Sequence, residues 1–137
     1  MSGKAFADTN VLVYAAVQED ARSEPARALL AAGVWWSVHV LNEFVSAARR
    51  LRRPWPEILQ ALAFLETICP SPLPLTLSTH HQALGIAQRF GYHIFDSLVI
   101  AAALEASCDT LYSEDLQHGQ KIEGLTIRDP FRKITPK

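Results

Sequence analysis

The stretch that most restricts the fold lies near the start of the chain, where a short apolar run meets three polar residues. Residues 5–7 are apolar, Asp8, Thr9 and Asn10 are polar, and a second apolar run begins at Val11. This order predicts a buried strand that ends at Ala7 and a helix that a polar residue caps. Because open α/β sheets bind ligands at the carboxyl ends of their strands, Asp8 is a candidate site residue.

The rest of the chain repeats this alternation of short β-rich segments and longer helical patterns. Further strands are predicted at 34–38, 75–77, 110–112 and 125–127, and helices at 11–17, 23–33, 39–53, 57–68, 78–90 and 94–104. Helices or long connections separate the strands, as parallel pairing requires. We therefore predict a three-layer α/β/α fold with a four- to five-stranded parallel sheet, and a length of 137 residues indicates one domain, 1–137.

The composition indicates which kinds of partner the protein can bind and in which compartment we expect it. The net charge of −1 provides no general basic field, so a polyanion would have to be held by a local patch or by metal ions. Cys69 and Cys108 lie far apart without a CxxC pair, which predicts buried free thiols. No signal-peptide pattern and no apolar run of transmembrane length is visible, so we expect a cytoplasmic protein with no membrane partner.

Four acidic residues are predicted to meet at one end of the sheet. Asp8 and Asp115 each follow a predicted strand, Asp96 begins a helix that is apolar nearly all round, and Glu43 lies at the rim of an apolar helical face. Two carboxylates about 4 Å apart repel by roughly 4 kcal/mol at an effective dielectric of 20. Such a cluster needs cations, and oxygen ligands without cysteine or histidine favour Mg²⁺ or Mn²⁺.

Metal held by acids is suited to phosphodiester hydrolysis, but each acid also has a simpler interpretation. Asp8 and Asp96 stand where helix caps stand, Asp115 where a turn residue stands, and Glu43 alone would be a solvated helical acid. The combination of all four is what favours a shared site.

A dense basic cluster follows Glu43 and comprises Arg49, Arg50, Arg52 and Arg53. Three interpretations remain open: it grips phosphates, it pairs with an acidic segment of a partner protein, or it is a solvated helix end. The three tryptophans are interpreted as core or interface residues and not as platforms for bases.

Four segments resemble, in order and spacing, the motifs of PIN-domain ribonucleases, and most of all the small VapC-type toxins of bacterial toxin–antitoxin operons. They are Phe6-Ala7-Asp8-Thr9-Asn10-Val11-Leu12, Leu41-Asn42-Glu43-Phe44, Phe95-Asp96-Ser97-Leu98-Val99-Ile100-Ala101-Ala102-Ala103 and Leu111-Tyr112-Ser113-Glu114-Asp115-Leu116. The resemblance extends to Asp129-Pro130-Phe131 near the end of the chain.

The resemblance implies metal-dependent endonucleolytic cleavage of RNA, with Mg²⁺ or Mn²⁺ held by Asp8, Glu43, Asp96 and Asp115. It also implies that Asn10 and Ser113 support the site through hydrogen bonds, that the protein forms a homodimer, and that an antitoxin blocks the site. Glu114 adjoins Asp115 and is a second candidate for its role.

Two other functions are compatible with parts of the pattern. An aspartyl-phosphate phosphohydrolase also places an aspartate after its first strand, but it usually carries a second acid two residues later, where this chain has Asn10. The other alternative is a catalytically silent module that keeps the PIN fold and binds RNA or protein.

Overall fold

The structure is a computed structural model that describes residues 3–134. Within that range the chain forms four strands and six helices. In chain order they are β1 (Ala5–Ala7), α1 (Thr9–Ala16), α2 (Ser23–Ala32), α3 (Val38–Arg50), α4 (Trp55–Ile68), α5 (Leu77–Phe90), α6 (Ile94–Glu105), β2 (Thr110–Tyr112), β3 (Lys121–Ile122) and β4 (Leu125–Arg128).

The strands form one sheet in the order β1-β2-β4-β3. The β1–β2 and β2–β4 pairs are parallel, with Phe6 opposite Leu111 and Leu111 opposite Ile127. The three-layer α/β/α fold is therefore confirmed. The sheet is mixed, however, because β3 runs antiparallel to β4. A strand of two residues carries no alternation, so its sequence pattern was not recognisable.

Two of the predicted strands, 34–38 and 75–77, are wrong as continuous strands. Trp35 pairs with Phe6 and Ser37 with Leu73 only through isolated bridges. The helices begin too early for longer pairing, since Ser37 caps α3 through a 3.2 Å hydrogen bond from Val40 N to its Oγ. Thr76 caps α5 in the same way, so Leu77 is helical. Ser37 and Thr76 therefore act as helix caps at positions where β propensity alone predicts strands.

The core surrounds β1 and α6. All three residues of β1 are buried, and α6 is buried continuously from Ser97 to Ala103, as its apolar sequence predicts. Cys69 and Cys108 are free and buried, which confirms that prediction. Within residues 3–134 no helix is both long enough and apolar enough to cross a membrane.

Candidate active site

The four predicted acids line one cavity of about 350 Å³, which we call the acid pocket. Asp8 follows β1, Asp115 lies three residues after β2, Glu43 lies in α3 and Asp96 in the first turn of α6. The parallel pairing of β1 with β2 brings the first two to the same edge of the sheet, where Asp8 N donates to Tyr112 O over 3.0 Å. Asn10 and Glu114 also line this pocket.

Asp8 is the most enclosed of the four acids, with 4% of its surface exposed. It caps α1, because Thr9 N donates to its Oδ1 over 2.7 Å, and Ser113 Oγ donates to its Oδ2 over 2.8 Å. Burial raises the pKa of Asp8 to about 7, the hydrogen bonds oppose this shift, and the charges of Glu43 and Asp115 add to it. The cap interpretation and the site interpretation therefore apply to the same side chain.

The first turn of α1 connects the acids to one another. Thr9 Oγ1 donates to Glu43 Oε1 over 3.1 Å, and Asn10 Nδ2 donates to Asp115 Oδ2 over 3.2 Å. Ser113 Oγ, which donates to Asp8, also accepts from Asp115 N over 3.2 Å. The sequence does not predict the role of Thr9 in this network, since its contact with Glu43 spans 34 positions.

The oxygen donors of the pocket fit a hard divalent cation. Burial raises the pKa of Asp96, and the negative charge of Asp115 raises it further. Mutual repulsion of this kind is what a bound Mg²⁺ or Mn²⁺ relieves. Within residues 3–134, no three histidine, cysteine or acidic side chains form a ready-made metal cluster, so the acids share a pocket without converging on one point.

Glu114 is held by two side chains that sequence reasoning missed. Tyr14 Oη donates to Glu114 Oε1, and Arg22 Nη1 donates to Glu114 Oε2 over 3.1 Å. Arg22 also lies 3.9 Å from the centre of the Tyr14 ring and pairs with Asp20 over 2.7 Å. Burial and the hydrogen bond to Glu114 raise the pKa of Tyr14 well above its usual value. These contacts engage Glu114 on the side of α1 and α2.

The structure gives the four arginines of the basic cluster different surroundings. Only Arg50 lines the acid pocket. Arg49 lies 4.9 Å from the centre of the Trp55 ring, and Arg53 Nε lies 3.5 Å from Glu57 Oε2. Arg52 is exposed and has a positive φ of 63°, beyond the last turn of α3. Of the four arginines, Arg50 is therefore the one placed to meet a ligand of the acid pocket.

His39 is a further neighbour of the acids to which the sequence assigned no role. It is buried in the first turn of α3, with Nε2 3.4 Å from Glu43 Oε1 and 3.1 Å from Phe95 O. It thereby connects α3 to the first turn of α6, one residue before Asp96. The i, i+4 spacing of His39 and Glu43 is visible in the sequence, but the contact with Phe95 is not.

Residues 5–121 match the family model of the PIN domain, and the chain belongs to that family. Its predicted family is thus confirmed. Among solved structures it is similar to Mycobacterium tuberculosis VapC20, described as a sarcin–ricin loop cleaving toxin. The identity is 25% and the TM-score 0.68, over 80% of this chain and 88% of that one.

Two further structures share the fold at lower identity. VapBC2 from Rickettsia felis, bound to a DNA fragment from its promoter, matches with a TM-score of 0.69 at 16% identity, over 92% of this chain and 98% of that one. A toxin–antitoxin complex from Klebsiella pneumoniae matches with a TM-score of 0.70 at 15% identity, over 93% and 98%. A search of curated proteins finds no match to this sequence.

Proposed function

We propose that this protein is a Mg²⁺- or Mn²⁺-dependent endoribonuclease and the toxin of a toxin–antitoxin pair. The observation that carries the proposal is that acids from four separate elements line one pocket. Membership of the PIN family and the similarity to a toxin that cleaves the sarcin–ricin loop support RNA as the substrate.

Asp8, Glu43, Asp96 and Asp115 are the residues that would hold the metal. A bound ion would polarise the phosphate and lower the pKa of the attacking water. Ser113 and the amide of Thr9 fix the orientation of Asp8, and Asn10 does the same for Asp115. Glu114, engaged by Tyr14 and Arg22, supports the wall of the pocket and is not a ligand.

The proposal includes protein partners. Two of the similar structures are complexes: one is a toxin–antitoxin complex and the other a VapBC complex bound to DNA. We propose a cognate antitoxin for this chain on that basis. We also propose a homodimer, because α4, α5 and the loop between them carry most of the exposed large apolar side chains in residues 3–134, including Trp55, Leu59 and Leu77.

The direct test is cleavage of total cellular RNA by the purified protein in Mg²⁺ or Mn²⁺. We expect discrete fragments that disappear in EDTA and in Asp8→Asn and Glu43→Gln, with a rate loss of at least about 100-fold for each variant. Glu66→Gln is the matched control, because Glu66 is an exposed acid of α4 that does not line the pocket.

Intact RNA under every condition would contradict the nuclease and favour a silent module that binds RNA or protein. Fragments that persist in EDTA would contradict the role assigned to the metal. Equal losses for Glu66→Gln and Glu43→Gln would mean that the acid pocket is not the site of the reaction.

A further inference from the structure

A second cavity, which we call the side recess, shares a wall with the acid pocket. It has a volume of about 320 Å³ and is lined by His39, Asn42, Glu43, Ser46, Arg50 and Phe95. Glu43 and Arg50 line both cavities. A polymeric ligand with one phosphate in the acid pocket would therefore place a neighbouring group at the side recess.

Phe95 forms an exposed aromatic surface at this recess. It is 53% exposed and directly precedes Asp96. Its ring lies 5.1 Å from the ring of His93 in an edge-on arrangement and 5.5 Å from that of His39. The backbone is fixed as well, since Phe95 N donates to His93 Nδ1 over 3.0 Å and Phe95 O is bound by His39 Nε2 over 3.1 Å. Such a ring loses little conformational freedom when a ligand stacks on it.

The remaining lining residues supply polar groups of several kinds. Asn42 is exposed and carries both a donor and an acceptor on its amide. Ser46 accepts a 3.0 Å hydrogen bond from Arg50 Nη1, which directs that guanidinium along the shared wall. A flat apolar ring beside an amide and a guanidinium matches an unpaired base and its phosphate. The carboxylates of an acidic peptide would pair with the arginine but gain nothing from the negative face of the ring.

We propose that the side recess binds an unpaired base of the RNA, stacked on Phe95, next to the nucleotide whose phosphate lies at the acid pocket. The identification of the ligand as RNA rests on the proposed function. Phe95 is then a binding residue that selects single-stranded RNA, because a base within a duplex does not expose the face that the ring requires.

The test measures binding separately from cleavage. The probes are a labelled random-sequence RNA of about eight nucleotides and a blunt-ended, fully paired RNA duplex, which Phe95→Leu should bind as the natural protein does. Affinity is measured in Ca²⁺, which accepts the same oxygen ligands, with a gel to verify that the RNA stays intact. We expect Phe95→Ala and Phe95→Leu to weaken binding of the single strand by about 5- to 150-fold, the range that loss of one stacked base produces. Phe95→Tyr should retain the affinity of the natural protein.

Phe64→Ala is the matched control, because Phe64 is 44% exposed and lines neither cavity. The melting temperature of each variant verifies that it is folded. Affinity for the single strand that is unchanged in Phe95→Ala and Phe95→Leu would overturn the proposal, whatever these variants do to a protein partner. Equal losses in Phe95→Leu and Phe95→Tyr would overturn stacking as the cause.

The outcomes separate this proposal from the proposed function. If the natural protein cuts RNA and Phe95→Leu binds and cuts it equally well, the base site is wrong and the proposed nuclease is not affected. If the natural protein cuts no RNA in Mg²⁺ or Mn²⁺ and Phe95→Leu weakens binding of the single strand, the nuclease is wrong and the base site is supported.

Discussion

At the scale of single residues, Asp8 combines burial, a capping role and two acidic neighbours. The residue is 4% exposed, its carboxylate accepts hydrogen bonds from Thr9 and Ser113, and burial is the main cause that raises its pKa to about 7. A raised pKa means that the folded state binds the proton more tightly than the unfolded state does. Asp8 therefore links the stability of the protein to pH.

The first prediction concerns this linkage in the absence of divalent metal. The pKa of Asp8 rises from 3.8 to about 7, so its stabilising contribution is complete below pH 3.8 and is lost as the pH rises through about 7. In EDTA, the free energy of unfolding of Asp8→Asn minus that of the natural protein should therefore increase as the pH rises from about 4 to about 8. The increase should be on the order of 1–3 kcal/mol. Urea unfolding at a series of pH values measures this. Parallel pH profiles for the two proteins would contradict it.

The second prediction separates Arg50 from Arg49. Arg50 lines both cavities, whereas Arg49 is stacked near Trp55 and donates to Arg53 O over 3.0 Å. Arg50→Gln should weaken RNA binding and reduce the slope of log affinity against log salt by about 0.7, the value for one phosphate of a single strand. Titrations at several salt concentrations measure the slope. Arg49→Gln should leave it unchanged, and equal slopes for the two variants would refute the assignment.

At the scale of elements, helix caps determined where two predicted strands gave way to helices. Ser37 and Thr76 accept hydrogen bonds from Val40 N and Thr79 N, which are residues of the first turns of α3 and α5. The sequence predicts that α5 begins at 78, which would put Ser78 and Thr79 at its capped end. Thr79 is instead inside the helix, buried, and its Oγ1 donates to Glu105 Oε1 of α6 over 2.8 Å.

The third prediction tests the position of this cap. Thr76→Ala should lower the free energy of unfolding by about 1 kcal/mol, because it removes the acceptor of the Thr79 amide. Ser78→Ala is the control, since Ser78 is exposed and lies within the first turn; it should change stability by less than about 0.5 kcal/mol. Chemical denaturation of both variants decides the matter. A larger loss for Ser78→Ala would mean that the helix begins later.

At the scale of the whole molecule, the acid pocket is formed by residues that follow β1 and β2 and by residues of α3 and α6. Residues of the pocket that contact one another lie as far apart as Asn10 and Asp115, 105 positions along the chain. The unfolded chain therefore has no counterpart of this site, and a ligand of the pocket binds the folded state selectively.

The fourth prediction follows from that selectivity. Millimolar Mn²⁺ should raise the melting temperature of the natural protein by several degrees, since an ion at about 100 times its Kd contributes about 2.7 kcal/mol. Asp8→Asn and Asp96→Asn should lose most of this increase, whereas Glu66→Gln should keep it. Differential scanning calorimetry with and without Mn²⁺ provides the comparison. A melting temperature that Mn²⁺ leaves unchanged would argue against a shared metal site.

The sequence alone determined the α/β class, the number and approximate positions of the helices, the burial of α6 and the acids that line the pocket. Each of these depends on local pattern: periodicity, capping residues, and the rule that parallel strands share a carboxyl edge. The positions of Asp8 and Asp115 could be predicted because both come shortly after recognisable strands in the sequence. Parallel strands bring such residues to the same edge of the sheet.

Only the tertiary structure decided the antiparallel pairing of β3, the position of Arg50, alone of its cluster, in the acid pocket, and the contacts of Glu114 with Tyr14 and Arg22. It also decided that Phe95 is exposed beside the acids and not buried as Ser97 to Ala103 are. These features depend on side chains from elements distant in sequence, and neither propensity nor periodicity carries information on which distant surfaces meet.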